Sequence, residues 1–109
     1  ADLPDVKLND ASLINAKLGY TTLINATMIR ADLTGATGEE MDWTDATLRG
    51  AELRGAAFTN SNFVRTDFLD AGLNGVVFTG CNLLSAKLPD SRSGIVFRSS
   101  LMPDNTMTP

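Results

Sequence analysis

Residues 30–53 read RADLTGATGEEMDWTDATLRGAEL. Ala31-Asp32-Leu33 at one end returns as Ala51-Glu52-Leu53 at the other, 20 residues later. Ala36 and Ala46 mark the same beat of five between them. Gly38, however, stands where the beat asks for a large apolar residue, and Trp43 occupies the next such place. If the beat survives this stretch, one architecture runs through the chain. If it does not, two segments meet at Gly38.

Followed outward, the beat holds from Leu3 to Leu88 at every fifth position, and 17 of these 18 residues are large and apolar. Two residues before each lies a small series, with alanine at 11 of 18 positions and Thr21, Ser61, Thr66 and Cys81 among the rest. Met41 is the only long side chain in that series. Two residues after each large one, Asp, Asn or Gly fills 13 of 18 positions; these residues accept positive φ and close turns. A helix is excluded, because five residues advance it by about 140° beyond a full turn and a helical face needs spacings of three and four. In extended chain, residues two apart share a face. The small and the large residue of each unit therefore point inward together, and the following residues turn a corner.

The units ASLIN (11–15), AKLGY (16–20), ADLTG (31–35), AELRG (51–55) and TDFLD (66–70) resemble the pentapeptide repeat family, whose motif is small–polar–Leu/Phe–variable–turn. The resemblance covers residues 1–90 without a register break. It implies an all-β solenoid, a right-handed quadrilateral β-helix with four units and 20 residues per coil, hence 90/20, or about four and a half, regular coils. Four interior columns then stack: Leu3-Leu23-Trp43-Phe63-Leu83, Leu8-Met28-Leu48-Phe68-Leu88, Leu13-Leu33-Leu53-Leu73 and Leu18-Gly38-Phe58-Phe78. Gly38 thins the fourth column, with Met41 and Trp43 adjacent, and close packing favours volume compensation. Trp43 is accordingly expected to be buried; the competing reading is a loop that offers it to a partner. Cys81 is expected to be a buried small hydrophobe.

Composition removes several function classes. The 109 residues suit one domain. With no histidine in the chain, the usual general base and the commonest metal ligand are missing. A single cysteine, Cys81, leaves no thiolate cluster. Asp42 and Asp45 flank Trp43, but one reads as a solvent-facing residue and the other as a corner. No catalytic, cofactor-binding or metal-ligating residue is assigned, no cofactor is expected, and the chain is read as a non-enzyme. No apolar run is long enough for a membrane-spanning helix, so membrane insertion is not expected. A net charge of -4 without a basic cluster argues against direct nucleic-acid binding.

The residue after each large one faces outward. Ile24, Val64 and Leu84 share one such column and Ile29 and Leu69 another, with Tyr20 at a corner; together they form a candidate partner surface. The expected function is a protein-binding or structural module with an unknown protein partner. The resemblance also implies an alternative, a small DNA-mimicking inhibitor of a nucleic-acid enzyme such as a topoisomerase, although Asp10 stacks under Arg30 and Asp45 under Arg65. After Leu88 the phase breaks at PDSRSG, and Phe97 falls nine residues on, one short of two units. Residues 91–109 are therefore expected to form a register-shifted terminal coil or cap, as solenoids require. No comparable cap precedes the first coil, so its N-terminal face is expected to be closed by residues outside this sequence or to meet a second copy end to end. The ending LMPDNT resembles the tails of many cyanobacterial and plastid family members. With the Ala1 start, that implies the thylakoid lumen or periplasm, with the cytoplasm as the alternative.

Overall fold

On three of the four faces the five-residue unit closes on one backbone hydrogen bond. The carbonyl of the large residue accepts from the amide of the small residue three positions later, as in Ala26 to Leu23 (3.1 Å), Ala46 to Trp43 (2.9 Å) and Ala51 to Leu48 (2.9 Å). The corner residue between them takes a positive φ, which makes the turn type II. In the computed structural model, which describes residues 2–109, 16 of the 18 corner positions have positive φ. Arg30, Glu40, Arg65 and Ser85 are among them. The left-handed region is sterically unfavourable for such residues; the coil imposes the conformation. Tyr20 escapes it, because Gly19 before it takes φ +53° instead.

Repeated turns set every fifth residue on a flat face, and coils stack as parallel ladders 20 residues apart. On the first face the ladder runs Thr22, Asp42, Asn62, Asn82, and on the second Thr27, Thr47, Asp67, Lys87. The third runs Ser12, Asp32, Glu52, Gly72. The fourth face is the most regular. Strands β1 (Thr37–Glu39), β2 (Ala57–Thr59), β3 (Val77–Thr79) and β4 (Val96–Arg98) form one parallel sheet in that order. The result is a right-handed quadrilateral β-helix measuring 32 × 24 × 21 Å.

Gly38 pairs with Phe58 in this sheet, so the register is unbroken there. A Cβ on Gly38 would collide with Met41 Sδ and lie 3.4 Å from the Phe58 ring. The thioether of Met41 thus occupies the space the missing side chain leaves. Trp43 is fully buried, stacked on Phe63 at 5.7 Å and edge-on to Phe58 at 5.8 Å. The stretch is a repair, and the loop reading of Trp43 is excluded. Phe58, Phe63, Phe68 and Phe78 continue the aromatic packing upward, each fully buried. Large apolar side chains contribute about 1.5–3 kcal/mol each on burial, so this aromatic half of the core anchors the rod.

The corner after the fourth face works differently, because each strand runs one residue further and the turn bond disappears. A hydroxyl replaces it. Ser61 Oγ donates to the Thr59 carbonyl (3.0 Å) and accepts from the Met41 amide (3.1 Å). Ser100 does the same for Arg98 (2.9 Å) and Cys81 (3.1 Å). Thr21 donates to Leu18, and Cys81 Sγ approaches the Phe58 carbonyl (3.4 Å). Burial pushes the Cys81 thiol up from its ordinary pKa; it is a buried packing residue, as expected.

The two ends differ. In the first coil Leu3 is 43% exposed, and Leu8, Leu13 and Leu18 are half-buried. At the other end the Ile95 amide donates to Arg92 (3.2 Å) and Gly75 to Gly94 (2.8 Å), so Arg92 stands at the top of the Leu73 column. That unit has lost one residue, yet β4 re-enters register, with Phe97 over Phe78 at 5.4 Å. The chain then folds back. Leu101 pairs antiparallel with Met107, the Met102 amide donates to Thr106 (2.7 Å) and the Ser99 amide to Pro109 (2.7 Å).

Candidate interaction surface

The outward residues are held more firmly than a solvated face requires. At several corners the polar residue two positions earlier reaches the amide of the residue after the large one. Asn62 Oδ1 accepts from Val64 (2.9 Å), Asn82 Oδ1 from Leu84 (3.0 Å) and Asp67 Oδ1 from Leu69 (3.0 Å). Asn9 Oδ1, one coil below, accepts from Ile29 (2.8 Å). Asp42 and Asp32 serve Thr44 (3.0 Å) and Thr34 (3.1 Å) in the same way. This gives the polar place of the motif a physical role: its side chain bonds locally to an amide that the ladder leaves without a partner. Asp32 and Asp104 also accept from the hydroxyls of Thr34 and Thr106, which holds their pKa below the usual carboxylate range.

The structure places the candidate surface residues as two columns and one corner. Ile24, Val64 and Leu84 lie along the first face, with Thr44 between the first two. Ile29 and Leu69 lie along the second, with Arg49 between them. The polar ladder Thr27-Thr47-Asp67-Lys87 and the corner residues Asn25, Asp45, Arg65 and Ser85 run between the two columns. Tyr20 is exposed, at 64%, one corner away from the first face. Ile24 is exposed, and Ile29, Val64, Leu69 and Leu84 are half-buried.

A second outward set was not singled out in the sequence. On the fourth face Ala57, Val77 and Val96 follow one another over three successive strands without a polar interruption. The signal was present, since these three occupy the motif's polar place. Below them a groove of about 340 Å³ lies over Lys17, Gly19, Thr37, Gly38, Glu39, Ala57 and Thr59. Ile14, 51% exposed, is a further outward apolar residue of the first coil.

Charge is arranged in pairs along the corners. Arg30 Nε donates to Asp10 (3.0 Å), Arg65 Nε to Asp45 (2.7 Å) and Arg49 to Asp67 (3.1 Å). The Arg65 guanidinium holds the Asp45 carboxyl below its ordinary pKa. Among the described residues no group of His, Cys, Asp and Glu is arranged to hold a metal ion. Among the described residues no helix is long and apolar enough to cross a membrane.

The family description "Pentapeptide repeats" matches residues 1–37 and 44–80 in eight copies. The unmatched residues between are those of the Gly38–Trp43 repair. The chain is similar in structure to a trypsin-treated form of QnrB1, a plasmid-mediated fluoroquinolone resistance protein, with a TM-score of 0.74 at 17% identity. That match covers 89% of this chain and 53% of QnrB1. It is also similar to the pentapeptide repeat protein Rfr23 from the cyanobacterium Cyanothece 51142, with a TM-score of 0.60 at 26% identity. There the match covers 88% of this chain and 63% of Rfr23. This chain thus spans between half and two thirds of the length of these two neighbours. No match is found among curated protein sequences.

Proposed function

The chain belongs to the pentapeptide repeat family, and from that premise we propose that it is a non-enzymatic module that binds a protein partner through the side of its rod. The observation that carries this is the anchoring of Val64 and Leu84. Their backbones are tied by Asn62 and Asn82 (2.9 and 3.0 Å), while their apolar side chains face outward in one column. A pre-organised apolar column loses little conformational freedom when a partner covers it. Ile24 extends the column below, Leu69 and Ile29 supply a second one, and Tyr20 adds an amphipathic anchor of the kind enriched at interfaces. The ion pairs Asp10–Arg30 and Asp45–Arg65 divide the acidic surface. They weigh against the alternative of a continuous acidic face that mimics nucleic acid.

The test compares affinity capture by the wild-type chain with capture by Val64→Asp/Leu84→Asp, both folded by circular dichroism. The proposal expects a stoichiometric partner that the wild type retains and the double variant loses. Equal retention by both would contradict it, as would equal loss with a control variant on the third face, Asn74→Asp.

A further inference from the structure

The first face, which carries the Ile24-Val64-Leu84 column, differs from the other three in charge. Asp2 and Asp42 stand in its ladder. Glu40 occupies the corner before it, and Asp5, Asp45 and Arg65 the corner after it. Asp104 joins that second corner, in the turn that the Asn105 amide closes on Met102 (3.0 Å). Counted with its two corners, this face holds these six carboxylates and a single cation, Arg65. The rest of the chain holds the other seven carboxylates and eight cations. The net charge of -4 therefore originates on this one face. Of the six carboxylates only Asp45 lies in an ion pair among the described residues, with Arg65 (2.7 Å). The acidic groups border the apolar column on both sides. Asp42 stands in the ladder before it, and Asp45 and Asp104 stand at the corner after it. Pro103 continues the column above Leu84, held there by the Ser85 amide (3.3 Å), and Thr44 is the one polar residue between Ile24 and Pro103.

We propose that this face takes a cationic amphipathic α-helix of the partner protein, lying along the rod. The inference rests on the protein-binding function proposed above and names the chemistry of the partner. Charge complementarity sets the sign. An apolar stripe with lysine or arginine on both flanks buries its stripe on Ile24, Val64 and Leu84 and places its cations over the two acidic borders. The same carboxylates repel nucleic acid and anionic membranes. A second copy of this chain is excluded as the occupant, because no other face, counted with its corners, has an excess of cations.

Backbone chemistry selects a helix over an extended segment. The side of the rod offers no strand edge, since its backbone groups are spent on the neighbouring coils. The Asn62 amide donates to Met41 (2.8 Å) and its carbonyl accepts from Trp43 (2.7 Å), while Asn62 and Asn82 side chains hold the amides of Val64 and Leu84. An extended peptide would leave its own amides and carbonyls unpaired over the apolar column, whereas a helix brings them paired. Spacing agrees. Coils repeat at about 4.8 Å and same-face strand residues at about 6.8 Å, whereas a helix repeats at about 5.4 Å per turn. Over the three steps from Ile24 to Leu84 a helix drifts by about 2 Å and a strand by about 6 Å. The four steps from Ile24 to Pro103 span about 19 Å, the length of a helix of about 13 residues.

Fluorescence anisotropy with labelled synthetic peptides of about 14 residues tests this. One peptide sets leucine on a helical stripe with lysine on both flanks. A second has the same composition with leucine and lysine alternating, and a third is the helical design with glutamate for lysine. The wild-type chain is expected to bind the first, the second at least about tenfold more weakly, and the third not at all. Glu40→Gln/Asp42→Asn/Asp104→Asn removes three border charges and is expected to weaken the first peptide roughly tenfold, and 0.5 M salt to do the same. Asn62 and Asn82 already serve at the place of Asp42, so this variant keeps the fold; circular dichroism checks it. Asp32→Asn/Glu52→Gln/Asp70→Asn removes as many charges elsewhere and is expected to change nothing. Val64→Asp/Leu84→Asp adds acid but removes the stripe, and is expected to abolish binding. Equal weakening by the two charge variants would overturn the proposal, as would equal affinity for the first two peptides or no binding of the first. A captured protein that needs Val64 and Leu84 but ignores the border charges would overturn this inference alone and leave the binding function standing.

Discussion

At Gly38–Trp43 the chain keeps its register and exchanges side chains; at Pro89–Gly94 it drops a residue and loses a face. Both stretches break the five-residue rule. In the first, a missing side chain is made good by Met41 from the neighbouring unit, and the ladder from Gly38 to Phe58 and Phe78 is untouched. In the second, the exposed Arg92 stands where the backbone pattern puts the large residue, and the ladder resumes only on the next face. The difference lies in what is stacked above. A one-residue slip in extended chain turns every inward residue outward. At Gly38 that slip would invert the coils built on Phe58, Phe63, Phe68 and Phe78. At Arg92 the third face carries no further coil among the described residues, so the slip exposes nothing.

The sharpest way to break this comparison is to delete one residue at each place. Without Glu40 the interior unit shrinks to four residues, and the cooperative thermal transition seen by circular dichroism is expected to disappear. Deleting Ser91, in the stretch that has already slipped, is expected to leave that transition in place with a small shift. Equal damage at both sites would erase the distinction.

Trp43→Leu is expected to cost about 2–4 kcal/mol in urea unfolding, because the cavity opens between Phe58 and Phe63. Trp43→Phe sharpens the result. It removes a buried side-chain N–H without a partner, so its cost is expected at about 1 kcal/mol or less.

Gly38→Leu restores the motif on paper and is expected to destabilise by about 1–3 kcal/mol, since the new side chain meets the Met41 thioether. Adding Met41→Ala is expected to recover most of that loss, a non-additivity that a double-mutant cycle in urea measures. Strict additivity would mean that Met41 does not fill the gap.

The sequence made the columns, the buried Trp43 and the Met41 repair legible because each follows from a period and a volume. It did not reveal the hydroxyl series Ser61 and Ser100 as working parts. A small residue suffices for packing, and only the missing turn bond at the fourth corner shows why an oxygen belongs there. It also did not show that the polar ladder through Thr47 and Asp67 separates the outward apolar columns, since that depends on how wide a corner is. The antiparallel tail at Met107 escaped as well, because its pairing has no period.

The smallest expected effect concerns acid. Asp32, Asp45 and Asp104 all have pKa values lowered by folding, through Thr34, Arg65 and Thr106 respectively. Their support is present above the ordinary carboxylate range and is lost as pH falls below about 4. Stability is expected to decline slightly there, and Asp45→Asn to flatten the decline; a decline on the alkaline side would contradict the assignment.

Fluorescence of Trp43 tests the central claim most directly, because it is the only tryptophan in the chain. A repaired register predicts blue-shifted emission and almost no quenching by acrylamide until the rod unfolds. Red-shifted emission that acrylamide quenches in the native protein would mean that Trp43 faces solvent and that the register breaks at Gly38.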